Sequence, residues 1–80
     1  MKPLQNWAPG IPRTRYKILY YIKWYLEKNG ETPLLTEIRE HIGVKFDSNI
    51  HRHLYRLERE GFIKVNYHYP RGIEVISGKD

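Results

Sequence analysis

Residues 36–61, TEIREHIGVKFDSNIHRHLYRLEREG, constrain this chain more than any other stretch. Ile38 and Ile42 form a short apolar set that ends at Gly43, and a second set follows with Ile50, Leu54 and Leu57 at i, i+4 and i+7. This spacing predicts two short helices joined by a tight turn, each with one apolar stripe. Gly43 and Gly61 stand where helices commonly end on a left-handed residue, and either Asp47 or Ser48 can cap the second helix. Taking about 100° per residue, the side of that helix away from its stripe carries Ser48, Arg52, Tyr55 and Arg59. Asn49 and Arg56 lie on one flank of this polar side and His51 on the other.

Two helices joined in this way outline a helix-turn-helix, which carries its second helix into the DNA major groove. A solvated helix surface accounts for the same polar face, with Arg59 paired to a neighbour such as Glu58 or Glu60 to little energetic effect. Three arginines on one face, and Asn49 at the helix's beginning where recognition side chains reach base edges, favour DNA reading.

Upstream, residues 14–29 place Ile18, Ile22, Tyr25 and Leu26 on one face with Leu19 beside them, predicting an amphipathic helix of about four turns. Pro12 or Thr14 can start it and Gly30 can stop it. Tyr20, Tyr21 and Trp24 do not all fit the inner face with the aliphatic set. Two accounts of them stay open: they wrap the arm or the wing, or they form an interface for self-association or for another protein. Residues 1–12 hold Pro3, Pro9, Gly10 and Pro12, which exclude a continuous helix and predict an extended arm. Trp7 either packs back on the body or belongs to an untethered tail. Thr32 and Pro33 are the expected cap and first-turn pair of the middle helix, which should bury Leu35, Ile38 and Ile42.

Downstream, FIKVN at 62–66 and IEVIS at 73–77 read as strands, separated by a turn marked by Pro70 and Gly72. A hairpin of two strands is marginal alone, so this one must lean on the helices. The expected class is α+β, mainly α: a winged helix-turn-helix of three helices and a two-stranded β wing. It should occupy residues 13–77, between an arm at 1–12 and a tail at 78–80.

Composition agrees with a polyanionic partner. Lys and Arg outnumber Asp and Glu by 14 to 9, for a formal charge of +5 and a pI near 9.6. The absence of cysteine excludes disulfides, thiolate metal sites and a cysteine nucleophile. No apolar run approaches the roughly 18 residues of a membrane span, and the N-terminus lacks a signal peptide's apolar core, so a cytoplasmic chain is expected. An enzyme is not expected. His41, His51, His53 and His68 include no pair at i, i+4 ligand spacing, and a domain this small has little room for a concave pocket. His53, on the shoulder of the apolar stripe, reads as a packed, hydrogen-bonded core residue. Neither a metal nor another cofactor is expected.

The pattern resembles the winged-helix DNA-binding domain of LexA-type repressors. The resemblance covers residues 14–76 and rests on IL..I...L...G in the first helix, TEI..HIG in the second and SN....HL..L...G in the third. The FI that follows and RGIEVI in the returning strand complete it. It implies base reading from Phe46, Ser48, Asn49, His51 and Arg52, with Arg71 of the wing approaching the DNA backbone. Well-known enterobacterial members carry two acidic residues where this chain has His51 and Arg52, so an identical operator is not implied. The resemblance does not reach the self-cleaving peptidase domain, and neither autoproteolysis nor a DNA-damage response carries over.

On the chemistry of the side chains, Asn49 suits adenine, while His51 and Arg52 suit phosphates or guanine N7 and O6. Lys45, Arg56, Arg59, Lys64 and Arg71 are the expected phosphate ligands, and Tyr67, His68 and Tyr69 are wing-tip candidates. An 80-residue monomer covers one short half-site, so a homodimer on a palindromic site is the expected assembly. Two alternatives remain: a winged-helix protein-interaction module working through Tyr20, Tyr21 and Trp24, and the DNA-binding part of a larger regulator or replication initiator.

Overall fold

The computed structural model describes residues 13–76. The proposed arm at 1–12 and the tail at 78–80 lie outside the described residues. Helix α1 spans Arg13–Asn29, α2 Leu35–Ile42 and α3 Asp47–Arg59, and two short strands follow, β1 Ile63–Val65 and β2 Ile73–Val75. The strands pair antiparallel with Ile63 opposite Val75, Lys64 opposite Glu74 and Val65 opposite Ile73. Three helices and a hairpin make the winged helix-turn-helix that the periodicities predict.

The three apolar stripes meet in one core of Ile18, Leu19, Ile22, Ile38, Ile50, Leu54, Leu57, Ile63 and Ile73. Leu35, Ile42, Val65 and Val75 pack at its margin, half-buried. Ile63 and Ile73 bring the wing to this core, and their strand neighbours Lys64 and Glu74 face solvent. The hairpin therefore gains its stability from the helices.

Several boundaries differ from expectation, for reasons visible in the hydrogen bonds. Thr14 lies inside α1 instead of capping it, and Pro12 falls outside the described residues. Helix α2 starts beyond Thr32 and Pro33, at an N-cap of Leu34 whose backbone N–H donates to Glu37 Oε1 at 2.7 Å. Thr32 is withdrawn from capping because its buried hydroxyl donates to the Ile73 carbonyl at 2.6 Å. At α3 the N-cap is Phe46, and neither Asp47 nor Ser48 takes that place. Asp47 is the first helical residue, where its charge suits the helix dipole, and it pairs with Arg39 Nε at 2.7 Å across the turn. The strands are shorter than 62–66 and 73–77, covering only the three paired positions of each.

One glycine is required by space. A Cβ on Gly72 would stand 1.9 Å from the Asn66 carbonyl oxygen, because Asn66 N–H donates to the Gly72 carbonyl at 2.9 Å across the wing's neck. The tip is further ordered by the Tyr69 N–H on the Asn66 carbonyl at 3.3 Å and by the His68 N–H on Asn66 Oδ1 at 3.0 Å.

Candidate nucleic-acid interface

Helix α3 turns its buried stripe of Ile50, Leu54 and Leu57 inward and so exposes Ser48, Arg52, Tyr55, Arg56 and Arg59. Asn49 and His51, on the flanks of that face, are half-buried. Lys45 and Phe46, in the turn before the helix, are exposed, Phe46 to 63%. An apolar ring that open at the start of a recognition helix can meet a thymine methyl group.

The polar side chains on this face are organised in pairs. Arg52 Nη2 donates to Asn49 Oδ1 at 3.1 Å, one helical turn apart. This bond uses one of the two lone pairs on the amide oxygen that adenine N6 would also need, so reading adenine through both amide atoms means sharing that oxygen with Arg52. As it stands, Asn49 holds Arg52. Arg59 Nη1 donates to the Tyr55 hydroxyl at 3.1 Å and lies 5.7 Å from that ring's centre, so its partner is an aromatic neighbour and not Glu58 or Glu60. That hydrogen bond raises the Arg59 pKa further, and its charge is permanent.

The wing adjoins the same face. Tyr67 and Tyr69 are exposed to 61% and 64%, and His68 is exposed between them. The Tyr67 ring lies 5.5 Å from that of His51, tilted by 43°. Lys64 is exposed on β1, with Glu74 at the register position opposite on β2.

Arg71 is placed differently from the resemblance's implication. Its guanidinium turns inward, donating through Nη1 to Glu37 Oε1 at 3.0 Å, the Thr32 carbonyl at 3.0 Å and the Tyr25 hydroxyl at 3.3 Å. Nη2 reaches Glu37 Oε2 at 3.5 Å and Nε lies 3.3 Å from Glu31 Oε2. An arginine with this many acceptors has few donors left for a phosphate. The carboxyl of Glu37 is held below the ordinary carboxylate range, first by the Leu34 N–H and next by Arg71. Sequence reasoning missed Thr32, Glu37 and Tyr25 as partners of the wing. Glu37 does stand three residues after the N-cap, but the capping-box signature needs Ser or Thr there, and Leu34 hides it.

The remaining candidates separate by place. Tyr21 stacks on His41 of α2 with centroids 4.1 Å apart and also contacts Trp24 and Tyr25. Lys17, Tyr20, Tyr21, Trp24, His41 and Ile42 line a groove of about 470 Å³ between α1 and α2. Trp24 is 52% exposed, whereas Tyr20 and Tyr21 are half-buried. His53 is half-buried as expected, but its buried Nδ1 has no hydrogen-bond partner among the described residues, nor does Nε of the buried Arg15. Desolvation first, then the charges of Arg15 and Arg52, hold the His53 pKa below its ordinary value. No group of three potential metal ligands occurs among the described residues, and no described helix is long and apolar enough to cross a membrane.

Three helices followed by an antiparallel hairpin, with a basic outer face on α3, place the chain in the winged-helix class of DNA-binding domains. Residues 6–72 match the LexA DNA binding domain family, and the chain belongs to that family. It is 38% identical over 63 residues to the LexA repressor of Carboxydothermus hydrogenoformans, covering 79% of this chain and 31% of that protein. Against the LexA repressor of Shouchella clausii the identity is 40% over 67 residues, covering 84% of this chain and 32% of that protein. The LexA repressor of Staphylococcus haemolyticus is 37% identical over 67 residues, with the same coverage of 84% and 32%. The chain thus spans about a third of the length of the relatives it matches.

Proposed function

We propose that this domain reads a short double-stranded DNA half-site with α3 in the major groove and acts as a transcriptional repressor in the cytoplasm. The observation that carries the reading is the outer face of α3, where Arg52 is held by Asn49 at the helix's beginning and Arg56 and Arg59 follow on the exposed side. Arg52 keeps further donors for guanine N7 and O6. Ser48, His51 and Phe46 are its neighbours on the base-reading edge, and Lys45, Arg56, Arg59 and Lys64 supply phosphate contacts that fix register. Tyr67, His68 and Tyr69 contact the sugar-phosphate backbone from the wing tip. We assign Arg71 to holding the wing against α2 instead of to a phosphate.

Two copies on a palindrome complete the site, spaced by about 34 Å if the half-sites lie one helical turn apart. The test is fluorescence anisotropy with a labelled random-sequence duplex pool at two salt concentrations, followed by sequencing of the retained fraction and sedimentation on the enriched duplex. Salt-sensitive binding that enriches a short palindromic motif, with two chains per duplex, is the expected result. Absence of binding even at low salt removes the reading. Strictly 1:1 binding removes only the dimer.

A second reading attaches to the groove between α1 and α2, where exposed Trp24 beside Tyr20 and Tyr21 offers apolar surface to a protein partner. Replacing Trp24 by Ala leaves DNA binding intact on this reading and removes partner capture.

A further inference from the structure

Arg52 and His51 are adjacent on the recognition helix, yet they are steadied from opposite directions. Arg52 is held from within α3 by Asn49. His51 is met from outside by the wing, through the ring of Tyr67 at 5.5 Å. Ser48 and Arg52 are exposed, whereas His51 is half-buried, as expected of a side chain that Tyr67 partly covers. The same side of α3 holds Glu58, seven residues on, whose Oε2 accepts the Val65 N–H of β1 at 3.4 Å. The wing is therefore tied to α3 at two points on one helical face, one of them polar and the other a ring contact at a base-reading position.

An exposed imidazole on a helix samples several rotamers, and a ring packed on one side excludes those that would occupy the same space. We propose that Tyr67 is a positioning residue for DNA recognition: its ring sets the orientation in which His51 presents its imidazole edge to the base pair beside the one read by Arg52. The wing then shapes sequence preference in the major groove as well as gripping the backbone. This inference rests on the assignment of α3 as the base-reading helix. The Tyr67 phenol is neutral at neutral pH at its ordinary pKa of 10.0, and partial desolvation and then the Glu58 carboxylate only raise it further, so it acts as a neutral ring and not as a charge.

The experiment uses the 80-residue chain, with the wild type, Tyr67→Ala, Tyr67→Phe, His51→Ala and the Tyr67→Ala/His51→Ala double variant each selecting from the random duplex pool. Tyr67→Ala should flatten preference at the same base pair as His51→Ala, by about five- to tenfold, the low end of what one base contact supplies. The double variant should lose no more than His51→Ala alone, as coupled residues do, and Tyr67→Phe should keep the wild-type profile. Melting temperatures of all variants should agree closely, since Tyr67 is 61% exposed. In the free protein, Tyr67→Ala should shift the His51 ring-proton resonances. Unshifted His51 signals, or a Tyr67→Ala profile that keeps its preference while affinity falls equally for every sequence, overturns the inference and leaves base reading by α3 standing. A wild-type chain that enriches no motif overturns both.

Discussion

Arg52 and Arg71 each act through partners, while half-buried His53 has a buried Nδ1 with no partner among the described residues. Arg52 works with its Asn49 buttress. Arg52→Ala should relax base preference at its position and weaken binding by roughly 1 to 3 kcal/mol, measured by anisotropy on matched and mismatched duplexes. Asn49→Ala should reproduce part of that relaxation at the same base pair, whereas an independent adenine contact would move a different one. Arg71 is committed to Glu37, Glu31, Thr32 and Tyr25. Arg71→Ala is therefore expected to lower the melting temperature and leave the slope of log K against log salt unchanged. A phosphate ligand would do the reverse, flattening that slope by about one unit. His53 supplies a pH signature. Its folded-state pKa lies below the ordinary 6.5, so between the two values the unfolded chain binds more protons and stability rises with pH. Melting temperature should fall as pH drops below about 6.5 and stop falling from this cause below the folded pKa. His53→Gln should remove that step, while the Glu37 contribution persists until the pH passes below 4.5 toward that carboxyl's lowered pKa.

At the scale of elements, the periodicities located every helix because an apolar stripe must face a core, and nearly every stripe position is buried or packed at the core's margin. Helix ends on Gly30, Gly43 and Gly61 were equally legible, since each has the positive φ that glycine tolerates. Helix starts were not. Thr32 looks like a cap in isolation, but its hydroxyl is claimed by Ile73, 41 residues away, and no local pattern encodes such a partner. Arg71 escaped for the same reason: its nearest acceptors, on Glu31, Thr32 and Glu37, come from the α1–α2 connection and α2. The outward face of α3 was readable from helix geometry alone, but the bond that joins Asn49 to Arg52 depends on rotamers, which spacing does not specify. Gly72 was read as a turn residue, and its real constraint is the neighbouring backbone oxygen 1.9 Å from a would-be Cβ. Gly72→Ala should force the neck of the hairpin open. The expected outcome is loss of the wing-tip amide dispersion in NMR spectra and weaker binding to all duplexes, with α1 and α3 still helical by circular dichroism.

For the whole molecule, the formal +5 already nets out its acidic residues, and what bears on DNA is where the exposed cations stand. Arg71 and Arg39 are paired with acidic residues, which leaves Lys45, Arg52, Arg56, Arg59 and Lys64 as the exposed cations of α3, its turn and the wing among the described residues. Five phosphate or base contacts of this kind give a salt slope of about −4 to −5 per chain, which titration at stepped ionic strength would read directly; a slope steeper by about one unit would restore Arg71 to the phosphate set. The hydroxyl of Thr32 adds a consequence of another sort. By fastening β2 to the connection that precedes α2, it closes a circuit that runs through α2, α3 and back along the hairpin, so the hairpin has little freedom to peel away by itself. Strands of only three residues would ordinarily fray within the folded state. Here the amides of Asn66 and Ile76, which donate across the hairpin to the Gly72 and Phe62 carbonyls, should exchange with solvent as slowly as those in the middle of α3, because exposing them means undoing the whole domain. Such a wing meets DNA already set in shape, and the helix and hairpin arrive as a single rigid tool.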